Sequence, residues 1–154
     1  MKTLILYASK YGAAGEVARR IAQKMGDVDI CDLKQGSIPP LTNFECVIVG
    51  SSVYAGSLRK EAKAFVAQNA AVLAEKTLGL FISGLDADIS TFYKNYPTDF
   101  PDKAKIKAFL GGIFDPKKAN ALERFIIKMV TKQSGYTDTV DDDAIDRFVA
   151  AIKA

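Results

Sequence analysis

The sequence predicts an α/β fold, a doubly wound parallel sheet of five strands in the order 2-1-3-4-5. Three observations carry this expectation. Apolar runs of strand length alternate with segments of helical period along all 154 residues. Three strands end in loops rich in Gly and Ser, at Ser9–Gly15, Gly50–Gly56 and Ser83–Asp88. Parallel strands joined by right-handed crossovers bring those loops together at the carboxyl edge, where the strand order reverses and ligands bind.

The first strand is the apolar run Thr3-Leu4-Ile5-Leu6-Tyr7-Ala8, and a helical pattern follows its loop at once. Val17, Ile21 and Met25 recur at i, i+4 and i+8, with Ala14, Ala18 and Ala22 on an adjacent stripe. Val28–Asp32 reads as the second strand, and Pro39-Pro40 breaks the chain before the third. The third, Cys46-Val47-Ile48-Val49-Gly50, is continuously apolar, as expected for a strand covered on both faces. A helix is expected from about Arg59 to Ala74, with Ala62, Phe65 and Val66 near one face.

Leu78–Ser83 is the fourth strand and Ile106–Gly111 the fifth, with a short helix around Ser90–Tyr96 between them. Leu122, Phe125, Ile126, Met129 and Val130 predict an amphipathic helix over Pro116–Lys132, and Gly135–Thr139 reads as a break. The last helix begins near Asp141–Asp143, where carboxylates suit the positive helix end, and buries Ile145, Phe148, Val149 and Ile152. No internal repeat or linker divides the chain, so one domain over residues 1–154 is expected.

Composition narrows the chemistry. Hydrophobic residues at 49% and charged residues at 25% describe a globular chain. No apolar run reaches membrane-spanning length and no cleavable-signal pattern opens the chain, which predicts a cytoplasmic protein. Histidine is absent, which excludes Ser-His-Asp and Cys-His catalysis and argues against a catalytic zinc site. Cys31 and Cys46 fit no metal spacing and read as free thiols in or beside strands. No metal site and no catalytic side chain are expected.

Charge is uneven. Between Lys103 and Lys132 eight basic residues stand against two acidic ones, a net +6 in a chain whose total is +3. The expected helix Pro116–Lys132 carries Lys117, Lys118, Arg124, Lys128 and Lys132 beside its apolar set. The default reading is a sheet-packing helix with a solvated basic edge; weak peripheral contact with an anionic membrane surface is the sharper alternative that this composition permits. Nothing in the chain points to a nucleic-acid partner.

The first loop, Ser9-Lys10-Tyr11-Gly12-Ala13-Ala14-Gly15, is neither Gly-x-x-x-x-Gly-Lys-Ser/Thr nor Gly-x-Gly-x-x-Gly. It can still hold a phosphate. Unpaired N–H groups of the first helical turn point at the ligand space, and the helix dipole favours an anion. A small-residue turn with no ligand remains the alternative from this loop alone.

Met1-Lys2-Thr3-Leu4-Ile5-Leu6-Tyr7-Ala8-Ser9-Lys10-Tyr11-Gly12 resembles the opening of flavodoxin-like proteins, and Val47–Gly56 resembles their second flavin-binding segment. Phe109-Leu110-Gly111-Gly112, Glu123–Met129 and Thr137-Asp138-Thr139 resemble the flavodoxin-like branch that includes the menaquinone-dependent protoporphyrinogen oxidase. The resemblance implies FMN. It implies that Ser9, Lys10, Tyr11, Gly12, Ala13 and Ala14 hold the phosphate. Ser51, Ser52, Val53, Tyr54, Ala55 and Gly56 would line one side of the isoalloxazine, and Ser83, Gly84, Leu85 and Asp86 the other. Tyr54 offers an aromatic face for stacking.

The expected function is electron transfer by an FMN-binding flavodoxin-like redox protein whose partner is another redox protein or a quinone. One alternative is a quinone-dependent protoporphyrinogen oxidase. Another is a flavin-free binding or regulatory module on the same fold.

Overall fold

Thr3-Leu4-Ile5-Leu6-Tyr7-Ala8 combines β-branched and apolar side chains, and only Tyr7 of the six is partly exposed. Such a run must lie at the centre of a sheet covered on both faces. The computed structural model, which describes residues 1–85, 87–114, 117 and 137–154, places it there. In chain order the strands are β1 (Thr3–Ala8), β2 (Val28–Asp32), β3 (Cys46–Tyr54), β4 (Ser57–Leu58), β5 (Thr77–Ser83), β6 (Ile106–Phe109), β7 (Ile113–Phe114) and β8 (Thr137–Asp138). The helices are α1 (Ala13–Met25), α2 (Lys60–Ala74), α3 (Ser90–Asn95) and α4 (Asp142–Lys153).

The main sheet runs β2-β1-β3-β5-β6, with β4 turned back on β3. Its long strands are parallel: β1 pairs β2 from Thr3↔Val28 to Tyr7↔Asp32, and β3 pairs β5 from Cys46↔Thr77 to Ser52↔Ser83. Once the two-residue β4 is set aside, this is the expected 2-1-3-4-5 order.

The two-residue period of the strands sorts the core into layers. Leu4, Leu6, Val47, Val49, Leu80 and Ile82 pack with Phe65 and Val66 of α2 and Phe92 of α3. Ile5, Ile48 and Phe81 pack on the other side with Val17 and Ile21 of α1 and Phe148 and Ile152 of α4. Phe81 meets Phe148 edge-to-face, with ring centroids 6.3 Å apart. Cys46 is buried and Cys31 half-buried, both as free thiols.

Helix ends explain which loops are closed and which are open. At α4 the Asp141 side chain accepts from the Ala144 N–H at 3.0 Å, as the acidic run there predicts. At α1 no side chain caps the first turn. Ion pairs fix the outer face: Arg20 reaches Glu16, Asp138 and Asp142, and Lys24 pairs with Asp146.

Several boundaries differ from the expectations. β3 continues past Gly50 to Tyr54, because Ser51 and Ser52 keep their ladder partners Ile82 and Ser83 and Val53 turns into a hairpin opposite Leu58. The fifth long strand stops at Phe109, since Gly111 has φ 80 and cannot extend the ladder. Part of the expected break over Gly135–Thr139 is β8, which pairs with β7 from Ile113↔Asp138 to Phe114↔Thr137. Two-residue strands are too short for alternation to reveal. Apart from Lys117, the expected helix Pro116–Lys132 lies outside the described residues, as does Asp86. Among the described residues no helix is long and apolar enough to cross a membrane.

Candidate functional site

The first loop is held by its own serine. Ser9 is buried, and its Oγ accepts the Gly12 N–H at 2.8 Å. Gly12 then takes φ 96, a left-handed conformation that favours glycine, and a Cβ there would meet nothing within 4 Å. The first ladder bond of α1 is Glu16 N–H to Gly12 C=O at 3.0 Å. The N–H groups of Ala13, Ala14 and Gly15 therefore have no acceptor within the helix. With the positive end of α1 they make an edge whose donors and dipole suit an anion. Ala14 contributes only its backbone there, because its side chain is fully buried against Val17 and Ile5. Tyr7 lies beneath the loop, since a Cβ on Gly15 would come 3.0 Å from its ring. Burial pushes the Tyr7 hydroxyl above its usual range, and the charges of Asp32 and Cys31 push the same way.

The second loop is a hairpin more than a loop. The Ser51 hydroxyl donates to the Ser52 carbonyl and accepts the Arg59 N–H, both at 2.9 Å, so it anchors the start of α2. Val53 pairs with Leu58 and Tyr54 with Ser57 across a turn in which Ala55 has φ 51 and Gly56 φ 79. Tyr54 is partly exposed at the tip. Lys10 from the first loop carries its ammonium to 5.0 Å from the Tyr54 ring centre and 5.3 Å from that of Tyr11. A cation between two ring faces joins the first two loops.

The third loop meets the second through contact of backbone with side chain. A Cβ on Gly84 would fall 2.3 Å from Val53 Cγ1, and one on Gly112 would fall 2.7 Å from the Gly84 backbone. Gly84 N–H donates to Gly111 C=O at 3.0 Å, and Thr139 N–H to Gly112 C=O at 2.8 Å. Ser83 is fully buried, and its hydroxyl has no hydrogen-bond partner among the described residues. Leu85 is half-buried beyond it.

The predicted residues thus meet in pairs: Lys10 with Tyr11 and Tyr54, Val53 with Gly84, and Ser52 beside Ser83 in the ladder. Ser51 and Ala14 turn their side chains to structural work. Gly112 and Asn95, which hold the loops from outside, were not among the predicted site residues. The Gly111-Gly112 pair was legible only as a resemblance, and nothing in the sequence marks Asn95.

Chemically, the edge offers backbone N–H donors, a hydroxyl and an ammonium for an anion, with tyrosine rings beside them. No cluster of three or more metal-ligating side chains occurs among the described residues. An unsatisfied buried hydroxyl, open space at Gly12 and this donor set fit a phosphorylated aromatic cofactor such as FMN.

Fold and loops together define a doubly wound α/β protein whose first helix opens on uncapped backbone donors. The chain belongs to the flavodoxin domain family, whose profile matches residues 4–141. It is 23% identical over 152 residues to the protoporphyrinogen IX dehydrogenase [quinone] of Escherichia coli K12, covering 90% of this chain and 84% of that protein. Its fold resembles that of oxidised flavodoxin 1 from Bacillus cereus, with TM-score 0.54 and 14% identity over 87% of this chain and all of that one. It also resembles a Lactobacillus acidophilus flavoprotein in complex with FMN, with TM-score 0.54 and 16% identity over 71% of this chain and 90% of that one.

Proposed function

We propose that this chain binds FMN across the three loops and transfers electrons. The observation that carries the reading is the uncapped α1 N-terminus, held open by Ser9 and standing beside the Lys10–Tyr54 pair. Family membership and a similar fold solved with FMN support it. When bound, FMN supplies the redox chemistry, and the protein sets its potential through nearby charge and hydrogen bonds.

The chain's residues orient and enclose. The Ala13, Ala14 and Gly15 N–H groups hold the phosphate, and Ser9 keeps their turn in place. Tyr54 presents a ring face, while Ala55 and Gly56 present backbone at the open side of the hairpin. The close contact of Val53 with Gly84 keeps the two ring-side loops at a fixed separation. No side chain acts as nucleophile.

Titration of the chain with FMN and with riboflavin tests the reading. FMN should bind with quenching of its fluorescence, and riboflavin, which lacks the phosphate, more weakly. Equal affinities would remove the phosphate role of the first loop. Tyr54→Ala should weaken both and shift the reduction potential.

A second reading, quinone-linked oxidation of protoporphyrinogen, is favoured by the E. coli relative and its coverage. Turnover of protoporphyrinogen with menaquinone by the FMN-loaded chain separates this oxidase from a carrier.

A further inference from the structure

One side chain outside the three loops reaches into the second. Asn95 closes α3, and its Oδ1 accepts the Leu58 N–H at 3.1 Å. Its Nδ2 donates to the Gly56 carbonyl at 3.1 Å and to the Thr91 carbonyl at 2.9 Å. Two of those bonds bracket Ser57, so the amide spans the return arm of the hairpin that carries Tyr54. The third fixes the amide to its own helix.

That hairpin needs a clamp. Ala55 has φ 51, a conformation that costs a residue with a Cβ free energy and persists where surrounding contacts impose it. The β3–β4 ladder supplies only the pairs Val53↔Leu58 and Tyr54↔Ser57, too few to hold a turn alone. Besides Asn95, the arm is held by the buried Leu58 side chain and, at its far end, by Ser51 Oγ on the Arg59 N–H. The hydrogen bond from Lys63 Nζ to Ser57 Oγ at 3.3 Å is exposed, and none of these contacts reaches the Gly56 carbonyl at the turn.

We propose that Asn95 is the positioning residue of the Tyr54 loop: its amide holds the strained Ala55–Gly56 turn closed and so fixes Tyr54 and the adjoining backbone against FMN. The proposal rests on the FMN reading above. It has a specific corollary. Asparagine adopts the left-handed region more readily than alanine. Ala55→Asn should therefore supply from within the turn what Asn95 supplies from outside.

The test is a set of FMN titrations on wild type, Asn95→Ala, Asn95→Asp, Ala55→Asn and Tyr54→Ala, alone and combined, with amide hydrogen exchange read at Leu58. Asn95→Ala should weaken FMN about tenfold, the equivalent of one or two lost hydrogen bonds. Asn95→Asp keeps the acceptor, loses both donations and should fall between. Adding Ala55→Asn to Asn95→Ala should recover most of the loss. In the Tyr54→Ala background Asn95→Ala should change affinity by less than about twofold, since residues acting through one another do not add. Exchange at the Leu58 amide should speed up in Asn95→Ala without FMN. Wild-type affinity in Asn95→Ala, a loss that Ala55→Asn leaves untouched, or unchanged Leu58 exchange would each overturn the clamp. A wild-type chain that takes up no FMN overturns the FMN reading instead, and Leu58 exchange then judges the clamp alone.

Discussion

Gly50 faces the ring of Phe81 so closely that a Cβ on Gly50 would stand 1.9 Å from Phe81 Cζ. The absent side chain in β3 is the space the ring occupies. Gly50→Ala must displace Phe81 and, through the edge-to-face contact, Phe148 of α4. Overpacking of this kind costs about 3 kcal/mol, seen as a lowered urea midpoint with an unchanged m-value. Adding Phe81→Leu to the same chain should recover part of the loss.

Ser9 is expected to act on the phosphate side of the site. Ser9→Ala removes the acceptor for the Gly12 N–H and loosens the turn that opens α1. FMN should bind about tenfold more weakly, the scale of one hydrogen bond next to a charged group, while riboflavin changes less than about twofold. Equal losses for the two ligands would take Ser9 off the phosphate.

Strain at Ala55 gives a prediction of stability alone. Asparagine tolerates φ 51 better than alanine, so Ala55→Asn should stabilise the apo chain by about 0.5–1 kcal/mol. Ala55→Val, whose branched side chain fits that region worse, should destabilise it. Chemical denaturation of both variants reads the sign.

Glu16 supplies a pH-dependent contribution. Hydrogen bonds from Arg19 hold its carboxyl below the usual 4.5, burial opposes them, and hydrogen bonding from Arg20 adds to the lowering. A carboxyl whose folded pKa is depressed stabilises the fold above its unfolded value and loses that contribution as pH falls through its folded value. Glu16→Gln should therefore cost about 0.5 kcal/mol at neutral pH, the scale of a partly exposed pair, with the difference closing in acid. Denaturation curves of both chains at neutral and acid pH check it. A gap that widens in acid would reverse the sign.

How much was legible follows from the length over which each signal is written. β1 and β3 are long apolar runs, and α1 shows its buried stripe at every turn, so sheet order and layers follow from pattern. The first loop was legible as a candidate because Ser9, Gly12 and the start of α1 are contiguous. The division of labour within it was not. Ala14 faces the core because of its place on the helix, which leaves only its N–H to offer a ligand. The hairpin at Tyr54 was hidden because its second strand has two residues, and its turn places Ala, not Asn or Gly, at a left-handed position. Asn95 lies 37 residues from Leu58, a contact made by tertiary packing and invisible to local pattern.

The contact of Val53 with Gly84 has a meaning for how this site can drift in evolution. The two positions share room for one methyl group: Val53 Cγ1 occupies what a side chain at position 84 would need, and the next nearest atoms are 3.5 Å or more away. A side chain gained at 84 is thus an obstruction on its own and harmless once position 53 has shrunk to alanine. Relatives that carry alanine at 84 should carry a residue smaller than valine at 53, and Gly84→Ala should be tolerated in a Val53→Ala chain while it is disruptive in the parent. Two loops far apart in the sequence then descend as one hereditary unit, and the width of the gap between them is passed on with it.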